Sequence, residues 1–321
     1  MKVLLVFPDV PRAVFNTALG WFRAIRADPE VDSLIAVNSR GLHDIKEDHP
    51  LSDLSKLESE PDITIVVRGY QVHKLSLKNG LPGTRSALIL TDEPYETEAA
   101  SAFNSGENQG LYDLVAVNDS ATVHRHSSGV FMPCASDETV LPPKLQPKWD
   151  IGFVGTTDKK REAWLSTIDR ACPGASWCLV GPKWKPKTWD KRSSHCQRVR
   201  MSTGPAAGYL SPKEVADLYA QCRIVLNVHR DGDANSPNPR TFDGIAYGLP
   251  IVQDHRPDTP ESVVQFHDPG SMANFVREYL NSDAECVKRV NDSIKDGLAV
   301  RGEHTYSARW AELKSRLADR S

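Results

Sequence analysis

The 321-residue sequence predicts an α/β protein of two parallel-sheet domains, and three observations carry that prediction. The length exceeds the size at which a single hydrophobic core stops growing, so two domains of roughly 150 residues each are expected. Short unbroken apolar runs recur through both halves, and a stretch with three prolines, LPPKLQPKWD at 141–150, separates the two series. Continuous Val/Ile/Leu runs of this kind mark strands buried on both faces, as in parallel sheets covered by crossover helices.

In the first half the runs are KVLLVF at 2–7, SLIAVN at 33–38, ITIVVRG at 63–69, ALILTDE at 87–93 and LVAVND at 114–119. After the proline-rich stretch the pattern restarts with IGFVGT at 151–156, WCLVGP at 177–182, IVLNVHR at 224–230, PIVQDH at 250–255 and VVQFHDP at 263–269. Between them SPKEVADLYAQC, 211–222, reads as a helix: Ser211 caps it, Pro212 takes the first turn, and Val215, Leu218, Tyr219 and Cys222 share a face. The expected division is a Rossmann-like domain over 1–142, a second over 143–300, and a terminal helix in 301–321 that packs back on the first. Ligands of open parallel sheets bind beyond the carboxyl ends of the strands, so the expected site is a cleft where two such sheets face each other.

Composition narrows the class. Forty per cent hydrophobic and 25% charged residues describe an ordinary globular protein, and a net charge of -3 gives no global attraction to nucleic acid or membrane. The N-terminal MKVLLVFPDVPR is too short in apolar residues for a signal-peptide core, and no run approaches the roughly 20 needed to cross a bilayer. The expected compartment is the cytoplasm. Six cysteines without any CxxC pair favour reduced thiols.

The most informative stretch is NSPNPRTFDGIAYGLPIVQDH, 235–255. Asn238 suits an N-cap and Pro239 the first helical position, while Gly248 and Pro250 end the helix, giving a span of about 239–247. A helix start offers backbone N–H groups and partial positive charge, and Arg240 adds a permanent two-pronged cation, a combination suited to a diphosphate. Asp243 sits one turn in, leaning toward the N-terminus. It either accepts hydrogen bonds from a ribose diol or merely complements the helix dipole. Two other patterns are set aside. DGDANSPNPRTF at 231–242 begins like a calcium loop, but Ser236 replaces the required Gly and Phe242 the bidentate Glu. Cys172, Cys178, His195 and Cys196 lack zinc-site spacing.

SPNPRTFDGIAYGLPIVQD, preceded by LYAQCRIVLNVHR, resembles the C-terminal domain of the CgeB-type, spore-maturation-protein-like glycosyltransferases, relatives of the group 1 enzymes with the GT-B fold. FVGTTDKKREAWL at 153–165, GYLSPKEVADLY at 208–219, TDEPYET at 91–97, YDLVAVNDSATVHRH at 112–126 and EHTYSARWAEL at 303–313 extend the resemblance in order over most of the chain. It implies transfer of a sugar from a nucleotide-diphosphate donor held mainly by the C-terminal domain. The co-substrate of first choice is a UDP-sugar, and no other cofactor is implied. By position, Arg240 and the N–H groups of Thr241 and Phe242, next to Asn238, would hold the diphosphate, and Asp243 would take the ribose, where the family more often has a longer Glu. Gly155 and Thr156 would let phosphate or sugar approach the backbone, and Tyr209 lies in the base-side loop. Arg161 either adds positive charge there or is a solvated helix-face arginine. His229 and Arg230, at a strand end, are assigned to the phosphates or the transferred sugar, with His229 counted among the catalytic residues.

Asp92 and Glu93 end the fourth run and would face the acceptor, taking its proton or placing its hydroxyl, although Asp92 also suits a helix cap before Pro94. Asn118 and Asp119 are weaker candidates of the same kind. No DxD-type pair ends a strand near the donor helix, so a metal-independent reaction is expected. Retention of configuration follows only from kinship with the group 1 enzymes. The segment KWKPKTWDKRSSHCQRVR, 183–200, carries seven Lys/Arg against one Asp, with Trp184 and Trp189 interleaved. It is either a solvated basic loop or a nucleic-acid contact. The acceptor class stays open among small molecules, glycans, proteins and a hydroxylated DNA base. A two-lobe nucleotide-sugar-binding module without turnover is the alternative to an enzyme.

Overall fold

The computed structural model describes residues 1–7, 12–38, 60–67, 83–91, 110, 112–181, 196–198, 210–230 and 234–320. Among the described residues the helices are α1 (Arg12–Ala27), α2 (Lys159–Ala171), α3 (Pro212–Tyr219), α4 (Pro239–Tyr247), α5 (Pro269–Leu280), α6 (Ala284–Val300) and α7 (Tyr306–Ala318). The chain forms two compact units: one comprises Met1–Cys134, Ala234–Ser236 and Tyr306–Ser321, the other Ala135–Asp233 and Pro237–Thr305.

The first unit is built on β1 (Lys2–Phe7), β2 (Ser33–Asn38), β3 (Ile63–Val67), β4 (Arg85–Leu90), β5 (Leu114–Val117) and β6 (Gly129–Phe131). They pair in the order β2-β1-β3-β4-β5-β6, every pair parallel. β3 is buried along its whole length, as a strand covered on both faces requires. One side of the core gathers Leu4, Val6, Val66, Leu88, Tyr112 and Val117. The helix α7 closes this unit, because Tyr306, Arg309, Trp310, Leu313 and Leu317 recur at helical spacing and are buried. The Trp310 Nε1 donates to Asp28 at 2.7 Å, and Lys314 bonds the same carboxylate at 2.7 Å. Gly20 allows the close approach: a Cβ there would lie 2.2 Å from the Tyr306 ring.

The second unit holds β7 (Trp149–Val154), β8 (Trp177–Val180), β9 (Cys196–Arg198), β10 (Cys222–Asn227), β11 (Ile251–Asp254) and β12 (Val264–Phe266). Their order is β12-β11-β10-β7-β8-β9, again all parallel. The chain runs outward from β7 to β9, returns beside β7 with β10, and then runs outward on the other side. The switch point therefore lies between β7 and β10, beyond whose carboxyl ends such sheets bind ligands. Trp177, Ile151, Phe153, Ile224 and Leu226 fill the core beneath it.

Two strands gave no apolar run to read. β6 is short and only half covered, and β9 offers Cys196 as its single apolar residue. The units divide at Cys134/Ala135 rather than at 142/143. The reason is local: the Ser136 N–H donates to the His304 carbonyl at 2.9 Å, and Ser136 forms a parallel bridge with Thr305. Residues 135–140 therefore belong with the second unit. Among the described residues no helix is long and apolar enough to cross a membrane.

Candidate functional site

The first wall of the site is the turn that leaves β7. The Gly155 N–H donates to the Val180 carbonyl at 2.8 Å, drawing the turn against the end of β8. Opposite it Gly181 has φ +147°, and a Cβ there would stand 1.9 Å from the Gly155 oxygen, so a side chain is excluded. Asp158 then caps α2 by accepting from the Arg161 N–H at 2.9 Å.

Arg161 is not a solvated helix-face residue; it is 3% exposed. Its Nε donates to the Val228 carbonyl at 2.8 Å, and its Nη1 donates to the Thr156 carbonyl and hydroxyl, both at 3.0 Å. One guanidinium thus ties the β7 turn to the end of β10 across the switch point. Burial, followed by the like charge of Arg240 and then that of Arg230, lowers its proton affinity to a pKa of about 9. Arg240 and Arg230 are thus close enough for their charges to act on Arg161.

The second wall is α4, which spans the residues its cap and stop signals indicate. Asn238 caps it, accepting from the Arg240 N–H at 3.0 Å, and Gly248 ends it in the left-handed region at φ +62°. Every polar atom of Asn238 is engaged: its Nδ2 donates to Asn227 Oδ1 at 2.9 Å, its carbonyl accepts from the Thr241 N–H at 3.1 Å, and its own N–H donates to His229 Nε2 at 3.1 Å. Behind it the Thr241 hydroxyl donates to Gln253 at 2.7 Å and accepts from Asn227 at 3.0 Å. Gln253 in turn donates to Thr259 at 2.8 Å. Phe242 is fully buried, its ring 5.4 Å from that of His304. Thr241 and Phe242 therefore direct their side chains inward. The Thr241 N–H, expected to meet a diphosphate, is bonded to Asn238 instead, and the Arg240 N–H is occupied by the cap. The helix contributes its dipole, and the Arg240 side chain has no hydrogen-bond or ion-pair partner among the described residues.

His229, counted among the catalytic residues from the sequence, is bonded within the protein. Its Nδ1 lies 2.6 Å from Asp254 Oδ1, and its Nε2 accepts from Asn238, so both ring nitrogens are held by protein. A backbone N–H only donates, so Nε2 is the unprotonated nitrogen and Nδ1 carries the proton. The same Asp254 oxygen accepts the His229 N–H at 2.7 Å, and Lys160 on α2 donates to Oδ2 at 2.7 Å. Burial opposes ionisation of Asp254, but the bonds from His229 and Lys160 outweigh it and hold the carboxyl well below the usual range. Asp254, Lys160, Asn227 and Gln253 were not singled out in the sequence, where each looks like an ordinary strand or helix polar residue.

Asp243 is half-buried one turn into α4, and burial pushes its carboxyl up to about 7, with Arg240 opposing the shift and Asp137 adding to it. Tyr219, on α3, is fully buried, and burial raises its hydroxyl above the usual range, with Arg240 opposing the shift and Asp243 adding to it. Arg230 is exposed beyond β10, and its carbonyl accepts from Arg256 at 3.0 Å. Gly155, Thr156, Arg161, Arg230, Asn238, Arg240 and Asp243 are thus gathered around one switch point.

In the first unit Asp119 serves the backbone: Oδ1 accepts from Ala121 at 2.9 Å and Oδ2 from the Asn235 N–H at 2.8 Å. Asn118 donates to the Ser236 hydroxyl at 3.4 Å. Neither is placed as a proton acceptor. Asp92, Glu93, Tyr209 and all of 183–200 except 196–198 lie outside the described residues. Among the described residues no group of three or more His, Cys, Asp or Glu is arranged to hold a metal ion.

Residues 160–315 match a family model described as "Glycosyl transferase-like". No curated protein sequence matches significantly. Among solved structures, sucrose-phosphate synthase from Thermosynechococcus elongatus is similar over 100% of both chains, at 12% identity and TM-score 0.63. A DNA-modifying β-glucosyltransferase, solved in the presence and absence of uridine diphosphoglucose, covers 99% of this chain and 100% of its own at 11% identity and TM-score 0.61. AviGT4, a glycosyltransferase involved in avilamycin A biosynthesis, covers 98% of this chain and 97% of its own at 14% identity and TM-score 0.57. The two parallel sheets, their helices and these likenesses together give the chain the α/β fold of GT-B glycosyltransferases, with the stretch from α2 into α7 matching a glycosyl transferase-like family.

Proposed function

We propose that the protein is a glycosyltransferase that takes a sugar from a nucleotide-diphosphate donor, a UDP-sugar first, and passes it to an acceptor hydroxyl. The observation that carries the reading is the convergence of Arg161, Arg230 and Arg240 at the switch point of the second sheet. Of their nearby carboxylates, Asp158 caps α2 and Asp254 is held by His229 and Lys160, while burial pushes the Asp243 carboxyl up to about 7 and so discounts its negative charge. What remains is a net positive field against a glycine-lined turn and a helix N-terminus, which favours an anion of two or more charges.

On this reading Arg240 and Arg230 bind the diphosphate, while Gly155 and Thr156 admit it close to the backbone. Fixed cations beside the leaving diphosphate stabilise the charge that develops as the glycosidic bond breaks, the service a metal performs elsewhere. Asp243, once ionised, accepts from the ribose hydroxyls, and Tyr209 borders the base. Asp92 or Glu93 receives the acceptor's proton. The CgeB-type resemblance, a retaining course and a cytoplasmic setting belong to the same proposal. The free thiols Cys172, Cys222 and Cys286 agree with a reducing compartment.

Calorimetry and thermal shift with UDP, GDP and UDP-glucose test it. UDP or UDP-glucose should raise the melting temperature and be hydrolysed slowly without acceptor. No binding by any nucleoside diphosphate would remove the reading, and tight binding without hydrolysis would favour the non-catalytic module.

A DNA acceptor is the second reading. The basic, tryptophan-bearing 183–200 favours it, and one structural neighbour is itself described as a DNA-modifying enzyme. Duplex affinity should then fall steeply with salt and weaken when Lys185, Lys187 and Arg192 are neutralised. Salt-insensitive binding would exclude it.

A further inference from the structure

We propose that His229 is a positioning residue and pH gate for the donor site: its neutral ring, held by Asp254, fixes the Asn238 cap and thereby the stance of Arg240. The inference rests on the nucleotide-sugar reading for its consequence, but its geometry stands independently.

The chain of contacts is continuous. Lys160 from α2 and the His229 N–H hold Asp254, whose Oδ1 receives the Nδ1 proton. Nε2 then accepts the Asn238 N–H, and Asn238 Oδ1 accepts the Arg240 N–H. Each link is buried or half-buried, so each is expensive to leave unmade. In this chain of contacts the ring is a group whose acceptor is switched off by one proton.

The charges facing it are mixed. Asp254 on β11 favours the cationic ring, while Arg256 beyond β11 and Arg240 on α4 disfavour it; Lys160 on α2 reaches it through Asp254. Burial is the largest influence and, with the two arginines, keeps the proton affinity below that of a free imidazole. At neutral pH the ring is therefore neutral and Nε2 is an acceptor. When acid delivers a proton from solvent to Nε2, two N–H groups face each other, the cap is lost, and Arg240 leaves its position. Donor binding, and not bond breaking, is the step that suffers.

Three proteins decide the matter: wild type, His229→Gln and His229→Phe. Glutamine reaches the Nε2 position and offers an oxygen to the Asn238 N–H, but does not titrate; phenylalanine offers nothing. UDP affinity is measured by calorimetry from pH 8 to pH 5, alongside ring and Asn238 amide ¹⁵N spectra without ligand. UDP's terminal phosphate itself gains a proton near pH 6, so the glutamine variant is the reference for that effect.

The expected result is a wild-type ring protonated on Nδ1 alone at pH 7.5, with the Asn238 amide shifting as Nε2 titrates. Wild-type UDP affinity should fall about tenfold more than that of His229→Gln across the acid range, and His229→Phe should bind about tenfold more weakly than His229→Gln at every pH, one lost buried hydrogen bond. kcat at saturating donor should change far less than KM. The proposal is overturned if Nε2 is protonated at pH 7.5, if His229→Gln keeps the wild-type acid limb or binds as weakly as His229→Phe, or if kcat collapses with KM unchanged. Wild type that binds no UDP at any pH sinks the nucleotide reading and the gating with it, while the ligand-free spectra still uphold or overturn the clasp by themselves.

Discussion

Arg240 is the residue on which the proposed chemistry depends most, and its environment says why. Its backbone N–H is spent on the cap, whereas its guanidinium has no hydrogen-bond or ion-pair partner among the described residues and its charge is felt by Arg161, His229, Tyr219 and Asp243. Arg240→Ala should weaken UDP binding roughly ten- to hundredfold, since charge-assisted hydrogen bonds contribute about 1.5–3 kcal/mol each. The melting temperature without ligand should stay close to wild type; calorimetry and thermal melts check both. Asp243 makes a different prediction. Its carboxyl sits near 7 in the folded chain against an ordinary 3.8, so the folded state keeps a proton that the unfolded state releases as pH rises between those values. Stability from this group is full below the unfolded value and declines as pH rises through the folded one. Asp243→Asn should therefore melt roughly 2 °C or more above wild type at pH 8 and alongside it near pH 4. Weaker UDP binding by the same variant would support the ribose contact, and unchanged affinity would remove it.

At the scale of elements, α4 was legible almost to the residue because its signals are local: Asn-Pro at one end and Gly-Leu-Pro at the other act on the backbone that carries them. The ends of the strands were less so. β10 stops at Asn227, leaving Val228, His229 and Arg230 beyond it, and hydrophobicity alone does not mark where pairing ends. What no periodicity reveals is that His229 would find its acceptor on Asp254, 25 residues on, rather than in a ligand. The β7 turn shows the same dependence on packing. The sequence marks Gly155 as a site for close approach by a ligand, and in the structure a Cβ there would meet the Phe153 ring at 3.1 Å, while the Gly155 carbonyl leaves no room for a Cβ on Gly181. Gly181→Ala should cost several kcal/mol or prevent folding, because its Cβ would overlap the Gly155 carbonyl at 1.9 Å; urea unfolding measures it.

At the scale of the molecule, chain order and unit membership part company. Residues 306–318 follow the second unit in sequence yet complete the first, and Ala234–Ser236 are also counted with it, pinned by Asp119. Trp310 is the anchor of α7, 2% exposed and bonded to Asp28. Trp310→Ala should destabilise the first unit by about 3–5 kcal/mol. Hydrogen exchange should then accelerate in α1 and β1 while α4 and α5 in the second unit keep their protection; uniform acceleration would contradict separate units.

The sequence by itself determined the α/β class, ten of the strands as buried apolar runs, the capped helix with Arg240 at its mouth, and the likeness to glycosyltransferases that the fold then matched. These rest on backbone preference and on apolar patterning, which act over a few residues. Tertiary structure alone decided that Arg161 is buried across a switch point, that both ring nitrogens of His229 are engaged by protein, and that the Thr241 N–H is occupied. The physical reason is that a polar group's role is set by which partner satisfies it once water is excluded, and that partner is chosen by the fold, often from a distant strand.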